Sequence, residues 1–163
     1  VYPKQEVASK IMTVESDWSS ASYFFSLVAL AKSASISLTS YKETSLQGDS
    51  ALIEIYKQMG VATHFENNKM TLVKQTGFEP KNLKLELNNT PDIAQTIVVT
   101  CLGLGISCHL TGLHTLKIKE TDRLEALKNE LTNKCEKLGK KFDILHHTSL
   151  LKLWIFEKQQ LIS

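Results

Sequence analysis

The chain has 163 residues, of which 42% are hydrophobic and 22% are charged, and its formal net charge is +2. This composition is typical of a globular protein and excludes a disordered chain, which would be poor in apolar residues. The net charge is too small to indicate a nucleic-acid-binding protein. The longest apolar stretches, residues 23–31 and 97–104, are well short of the roughly 20 residues that a membrane-spanning helix needs. We therefore expect contact with neither nucleic acid nor a membrane.

The first residues and the cysteines both favour a cytoplasmic location. Residues 1–6 contain neither a basic region nor an apolar region of the kind that opens a signal peptide. The cysteines, Cys101, Cys108 and Cys135, form no C-x-x-C pair, and their odd number fits neither a complete disulfide framework nor a zinc site. We expect them to be small core residues, because free cysteine is among the most buried residue types.

Alternating and helical apolar patterns predict a first βαβαββ unit over about residues 10–74. Its predicted elements are a strand at Lys10–Val14, a helix at Ser19–Lys32, a strand at Ser35–Ser40, a helix at Asp49–Met59, and a hairpin of Val61–Phe65 and Lys69–Val73. The hairpin turn at Asn67-Asn68 uses a residue type that tolerates positive φ. Gly60 is expected to end the second helix. The inward face of the first helix is predicted to hold Tyr23, Phe24, Leu27, Val28 and Ala31.

The same order of elements returns over about residues 83–156. The predicted elements are a strand at Leu83–Leu87, a helix at Pro91–Leu102, a strand at Ile106–Thr111, a long helix striped by Leu124, Leu127, Leu131, Cys135 and Leu138 and ended by Gly139, and a hairpin of Lys141–Leu145 and Leu150–Phe156. Val14 and Leu87 are 73 positions apart, and so are Asp49 and Asp122. The sequence therefore predicts an α/β (α+β) fold made of two copies of one βαβαββ unit.

Thr90-Pro91-Asp92 is the first candidate functional segment. Thr90 can cap the helix, Pro91 suits its first position, and Asp92 falls in the first turn, where the helix dipole stabilises a carboxylate. An anionic Asp92 could serve as a general base. The tripeptide is also an ordinary way to start a helix, so it does not by itself indicate catalysis.

Lys119-Glu120-Thr121-Asp122-Arg123 is the second candidate segment, and it also precedes a helix. Thr121 can cap that helix, which places the cations of Lys119 and Arg123 near the positive end of the dipole. Cations there favour a bound phosphate or carboxylate, and Glu120 beside them could shuttle a proton. A solvated charged turn is the competing interpretation.

The repeat offers an internal comparison between the two copies. At the offset of 73, the first copy has Ser19, Leu46, Gln47 and Ser50 in the places of Asp92, Lys119, Glu120 and Arg123. Every ionisable member of the set is thus uncharged in the first copy, whereas Asp122 is matched by Asp49. The comparison assigns Asp122 to structural capping and predicts that function lies in the second copy.

Four motifs, in this order, closely resemble the 5-enolpyruvylshikimate-3-phosphate synthases, also called 3-phosphoshikimate 1-carboxyvinyltransferases. They are Ser16-Asp17-Trp18-Ser19-Ser20-Ala21-Ser22-Tyr23-Phe24, Leu46-Gln47-Gly48-Asp49, Thr90-Pro91-Asp92-Ile93-Ala94-Gln95-Thr96 and Lys119-Glu120-Thr121-Asp122-Arg123-Leu124. The resemblance runs from about Lys10 to about Leu145, which is well under half of such an enzyme.

The resemblance implies a fold and a reaction. Each of two domains in that family contains three βαβαββ units, so residues 1–163 would form a partial domain with two of the three. The family transfers the enolpyruvyl group of phosphoenolpyruvate to the 5-hydroxyl of shikimate 3-phosphate and releases phosphate, on the route to chorismate and the aromatic amino acids. It implies no metal or organic cofactor. We expect the intact enzyme to be a monomer, and a fragment to be inactive and able to self-associate.

The resemblance also assigns roles to individual residues. Asp92 would take the proton from the 5-hydroxyl, and Glu120 would deliver a proton to the methylene carbon of phosphoenolpyruvate. Lys119 and Thr115 would contact shikimate 3-phosphate, and Arg123 would bind phosphoenolpyruvate.

Departures from the family pattern keep two alternatives open. The family's early Lys-Ser, its glycine-bearing loop and its late His-Arg pair are absent, and His146-His147 is expected to be an exposed turn without a metal. One alternative is the related UDP-N-acetylglucosamine enolpyruvyl transferase, against which the Lys119–Arg123 segment argues. The other is a non-catalytic βαβαββ module that serves binding or assembly.

Overall fold

The structure, a computed structural model, describes residues 14–118, 122–138, 142–147 and 150–155. The predicted strand Lys10–Val14 therefore lies outside it except for Val14, which belongs to no strand. The first unit consists of α1 (Trp18–Leu30), β1 (Ser35–Thr39), a 3₁₀ turn (Gly48–Ala51), α2 (Leu52–Lys57), β2 (Val61–Glu66) and β3 (Lys69–Lys74). The second helix is thus shorter than predicted, and Gly60 follows it at φ 79°.

The second unit follows the predicted order. It consists of β4 (Leu83–Glu86), a 3₁₀ turn (Pro91–Ile93), α3 (Ala94–Leu104), β5 (Cys108–Thr111), a 3₁₀ turn (His114–Ile118), α4 (Arg123–Leu138), β6 (Phe142–His147) and β7 (Leu150–Ile155). The prediction of an exposed turn at His146-His147 is wrong, because both residues pair with β7 as part of β6. Gly139, the expected end of α4, lies outside the described residues.

Two sheets show the repeat directly. One has the order β1-β3-β2, and the other has the order β4-β5-β7-β6 with β4 and β5 parallel. The order β5-β7-β6 of the second copy is the order β1-β3-β2 of the first. Asn67 and Asn68 connect β2 to β3 with φ values of 50° and 59°, as a tight hairpin turn requires. The mixed helix-and-sheet fold is therefore confirmed.

The predicted inward face of α1 is wrong for its largest members. Tyr23 and Leu27 are 66% and 60% exposed, and Phe24 is also exposed. The helix instead buries a face that carries two serines as well as apolar side chains: Trp18, Ala21, Ser22, Phe25, Ser26, Val28 and Ala29. The apolar pattern did not predict this face, because Ser22 and Ser26 are polar residues that interrupt it.

Hydrogen bonds between hydroxyl groups explain why α1 buries its serines against α3. Ser22 Oγ lies 3.0 Å from Thr96 Oγ1, and Thr100 Oγ1 donates to Ser26 Oγ at 2.8 Å. Tyr56 of α2 adds its hydroxyl at 2.9 Å from Thr100 Oγ1, and burial raises the pKa of Tyr56. Because both pairs advance by four residues in the same direction, α1 and α3 run parallel and begin at the same end of the molecule.

Both ends of α1 are held by side chains. Asp17 caps the first turn by accepting hydrogen bonds from the backbone N–H groups of Ser19 and Ser20. At the other end, Lys74 Nζ donates to the carbonyl oxygen of Ala29 at 2.5 Å, and burial lowers the pKa of Lys74. A cation at this end of a helix also complements the negative end of its dipole. Side chains therefore hold α1 in place at both its first and its last turn.

Cys101 and Cys108, the cysteines whose side chains the structure describes, are core residues, as predicted. Cys101 on α3 and Cys108 on β5 are both buried free thiols. A hydrogen bond with Cys108 and burial together raise the pKa of Cys101. A raised thiol pKa disfavours the reactive thiolate, so the packing keeps Cys101 inert.

Candidate active site

A cleft of about 640 Å³ lies at the common starting end of α1 and α3. Most of its lining residues carry a hydroxyl group or a charge, and the apolar residues among them are Leu27 of α1 and Val99 of α3. The lining residues are Asp17, Ser19, Ser20, Ser22, Tyr23, Ser26, Leu27, Asp92, Gln95, Thr96, Val99 and Arg123. The first turns of two parallel helices bring partial positive charge to this end of the molecule, which suits a site for anionic ligands.

Asp92 lies at the edge of this cleft in the first turn of the second copy's first helix. Pro91 occupies the first position of that turn, as predicted, and Asp92 is its acidic residue. Thr90 is the N-cap residue of this turn, as predicted, but its side chain makes no capping hydrogen bond. The Thr90 hydroxyl instead donates to Asp49 Oδ1 of the first copy. Thr90 is buried and Asp49 is half-buried, so this bond is partly shielded from water.

Arg123 reaches the same cleft from the start of α4. Its guanidinium nitrogen Nη1 lies 3.4 Å from Asp92 Oδ1. Asp122 caps α4, because its Oδ1 accepts from the backbone N–H groups of Leu124 and Glu125, both at 3.2 Å. The assignment of Asp122 to structural capping is thus confirmed. The predicted alternative cap, Thr121, lies outside the described residues.

The remaining predicted site residues are Thr115, Lys119 and Glu120, and of these the structure describes Thr115. Thr115 is in the 3₁₀ turn His114–Ile118, which contacts the 3₁₀ turn that carries Asp92. Among the described residues, its buried Oγ1 has no hydrogen-bond partner. Thr115 does not line the cleft itself. Lys119 and Glu120 lie outside the described residues.

The first copy also contributes to the cleft. Its residues Asp17, Ser19 and Ser20 line the cleft together with Asp92 and Arg123 of the second copy, and that function lies in the second copy stays a prediction. A hydrogen bond from the Ser20 hydroxyl and bonds from backbone N–H groups hold the pKa of Asp17 below its usual value of 3.8. The signal that could have revealed this wall was the serine-rich motif 16–24, because small hydroxyl residues at a helix start leave room and donors for a ligand.

The described part of the chain contains neither a metal-binding cluster nor a membrane helix. Within it, no group of three or more His, Cys, Asp or Glu side chains is placed to hold a metal ion. None of its helices is long and apolar enough to cross a membrane. The reactive side chains that it brings to the cleft are carboxylates, hydroxyl groups and a guanidinium.

Comparison with known proteins identifies the family. The family model described as EPSP synthase (3-phosphoshikimate 1-carboxyvinyltransferase) matches residues 1–153. A Bacteroides fragilis protein named 3-phosphoshikimate 1-carboxyvinyltransferase is 46% identical over 127 residues, which are 78% of this chain and 30% of that protein. A Methanospirillum hungatei protein of the same name is 33% identical over 119 residues, which are 73% of this chain and 27% of that protein. The chain belongs to the EPSP synthase family.

A solved structure supports the fold. The structure of EPSP synthase from Acinetobacter baumannii superposes with a TM-score of 0.62 at 19% sequence identity, covering 89% of this chain and 33% of that one. At this identity the likeness establishes the fold. The chain spans about a third of the length of the relatives that it matches.

Proposed function

We propose that this chain supplies part of the active site of an enzyme that transfers the enolpyruvyl group of phosphoenolpyruvate to the 5-hydroxyl of shikimate 3-phosphate. The observation that carries the proposal is the meeting of Asp92 and Arg123 at 3.4 Å on the edge of one cleft, although 31 positions separate them in the sequence. A carboxylate base beside a guanidinium suits a reaction that removes a proton while it binds a phosphorylated acid.

The proposed chemistry follows from the residue types. Asp92 accepts the proton of the 5-hydroxyl, whose oxygen attacks the substituted carbon of phosphoenolpyruvate, and Glu120 delivers a proton to the methylene carbon. The resulting tetrahedral adduct then loses phosphate together with a proton from its new methyl group, which forms the carbon–carbon double bond of the enol ether product. Arg123 neutralises the phosphoenolpyruvate anion, and Lys119 and Thr115 contact shikimate 3-phosphate. These assignments follow the family resemblance, and for Asp92 and Arg123 the cleft geometry supports them.

We further propose that residues 1–163 form a partial enolpyruvyl transferase domain, with units at about 10–74 and 83–156. An exposed apolar surface on α1 and α3 supports this division. Tyr23 and Leu27 of α1 and Val99 of α3, which also line the cleft, and Leu30 of α1 are between 43% and 66% exposed. Such a surface marks an interaction site or a ligand groove, and the occupant that fits the repeat is a third unit from the rest of the enzyme, which would complete the apolar part of the cleft.

The isolated chain should therefore have no catalytic activity. Both substrates carry several negative charges, and a shallow open cleft with part of the ligand set cannot exclude water from them. Calorimetric titration of the chain with shikimate 3-phosphate and with phosphoenolpyruvate should show weak binding and no phosphate release. Tight binding or turnover by the isolated chain would contradict the partial-domain proposal.

A chimera tests the reaction itself. The 127 matched residues of this chain would replace their counterpart in the Bacteroides fragilis relative, and the product would be assayed for phosphate release with both substrates. Activity within about tenfold of the parent enzyme supports the proposed function. A folded chimera that binds neither substrate favours the non-catalytic module. A chimera that uses UDP-N-acetylglucosamine instead would favour the other transferase, against which the family match argues.

A further inference from the structure

The segment Gln47–Asp49 of the first copy connects the starts of α1 and α3. Gln47 Oε1 accepts from the backbone N–H of Trp18 at 3.0 Å, and Gln47 Nε2 donates to the carbonyl oxygen of Ser16 at 2.9 Å. Both bonds hold the chain at the start of α1. The Gln47 side chain is thus a bridge from this segment to the first wall of the cleft.

Asp49 connects this segment to both walls at once. Its Oδ2 accepts from the Ser19 hydroxyl on α1, and its Oδ1 accepts from the Thr90 hydroxyl just before the turn that carries Asp92. The two oxygens of one planar carboxylate are a fixed distance apart. Because the Ser19 and Thr90 hydroxyls each bond one of these oxygens, the Asp49 side chain sets the distance between the two hydroxyls.

Gly48 brings the segment close enough for this contact. A Cβ atom at position 48 would overlap the backbone oxygen of Asn89, the residue before Thr90. Any larger residue would push the Asn89 backbone away from the segment. A Cβ atom at Gly112 would lie 2.5 Å from the backbone nitrogen of Asn88, the preceding residue. Two glycines therefore make close contacts with the loop that leads into Asp92.

We propose that Asp49 is a positioning residue for Asp92, acting through Thr90. The inference rests on the proposed function, in which Asp92 is the base, and assigns no chemistry to Asp49 itself. Three features place Asp49 in this role: it bonds both cleft walls, its partner Thr90 is buried, and Thr90 is two residues from Asp92. A base must sit within hydrogen-bond reach of the proton it removes, so a shift of Thr90 would displace Asp92 from its target.

The test uses a matched pair of substitutions at Thr90 in the full 163-residue chain. Thr90→Val keeps the shape and removes the hydroxyl, whereas Thr90→Ser keeps the hydroxyl that bonds Asp49. The readouts, by NMR, are the Asp92 carboxyl ¹³C shift and the exchange rate of the Arg123 guanidinium protons with water. Thr90→Val and Asp49→Ala should both move the Asp92 signal and speed Arg123 exchange about tenfold, while Thr90→Ser leaves both unchanged.

A purely structural role gives a different result. If Thr90→Val and Asp49→Ala lower the urea midpoint but leave the Asp92 and Arg123 signals at their original positions, the positioning proposal is wrong. An unchanged signal in Asp49→Ala alone would also overturn it. Neither readout involves substrate, so an inactive chimera would count against the proposed function without affecting this result.

Discussion

The Asp92 carboxylate and the Arg123 guanidinium contact each other at 3.4 Å, with 39% and 29% of their side chains exposed. An ion pair this long and this exposed contributes about 0–1 kcal/mol to stability. The pair is better suited to hold two reactive groups near one cleft than to stabilise the fold.

The first prediction concerns the proposed base. In the chimera, Asp92→Asn should lower kcat by about 10²- to 10⁴-fold, because an amide cannot accept the proton of the 5-hydroxyl. Substrate affinity should change much less, since the amide still occupies the same space. Phosphate release under saturating substrates measures the effect. Asp143→Asn, on the exposed surface of β6, is the matched control and should retain full activity; equal losses in both variants would refute the assignment.

The second prediction concerns the hydroxyl network between α1 and α3. Thr100→Val should destabilise the chain by about 1–3 kcal/mol, because the buried hydroxyl of Tyr56 and that of Ser26 would each lose their bond to Thr100. Urea unfolding followed by circular dichroism measures the change. Thr71→Val removes a hydroxyl that is bonded to Ser37 on an exposed strand surface, and should cost about 0.5 kcal/mol or less. Similar losses at both positions would mean that the buried network adds no more stability than an exposed hydroxyl pair.

The extent to which the sequence predicts this molecule depends on which forces set each feature. Helix and strand order followed from apolar periodicity, and the repeat was visible because Asp49 and Asp122 keep one spacing. The inward face of α1 could not be predicted, because Ser22 and Ser26 are buried by partners on another helix.

The candidate site was predictable only in part. Asp92 and Arg123 were identified from charges at helix starts, whereas the serine-rich motif that contains Ser19 was not interpreted as a wall of the same cleft. The role of Thr90 was missed for a related reason. A helix-start threonine normally bonds its own helix, and the carboxylate that takes its hydroxyl lies 41 positions away.

The third prediction concerns the close contact at Gly48. Gly48→Ala should cost about 1–3 kcal/mol, since the added carbon would meet backbone that cannot move without shifting the Asn88-Asn89 loop. Gly103→Ala is the control, because its added carbon would meet the flexible end of the Leu30 side chain and alanine favours the helix by about 1 kcal/mol. Thermal unfolding of both variants distinguishes them. A Gly48→Ala chain as stable as the parent would show that the loop is free to shift.

The fourth prediction concerns the cap of α1 in acid. The folded-state pKa of Asp17 lies below 3.8, so its contribution to stability is complete above that pH and is lost as the pH falls through the lowered value. Asp17→Asn should leave stability near neutral pH almost unchanged, because asparagine is an equally good cap. Urea midpoints measured between about pH 2 and pH 7 should fall less steeply in acid for this variant. Parallel curves for the variant and the parent would contradict the lowered pKa.

The fifth prediction concerns His109 on β5. Burial, followed by the charges of Lys152 and Lys84 on the two neighbouring strands, lowers the pKa of His109 below 6.5. Stability from neutral His109 is therefore complete above pH 6.5 and declines as the pH drops through the lowered pKa. Lys152→Gln and Lys84→Gln should each raise the His109 pKa in an NMR titration. Lys69→Gln changes a residue on the other sheet and should leave the His109 pKa unchanged. If neither Lys152→Gln nor Lys84→Gln raises that pKa, burial alone lowers it.

The two hydroxyl pairs between the parallel helices α1 and α3 fix the position of one cleft wall relative to the other along the helix axes. Both pairs share a spacing of four residues, so sliding one helix along the other by a single residue, about 1.5 Å, would break the two bonds together. The next matching position is about a full helical turn away. The two helices can therefore pack in only one axial register. That register sets the distance between Ser19 and Asp92 along the helix axes.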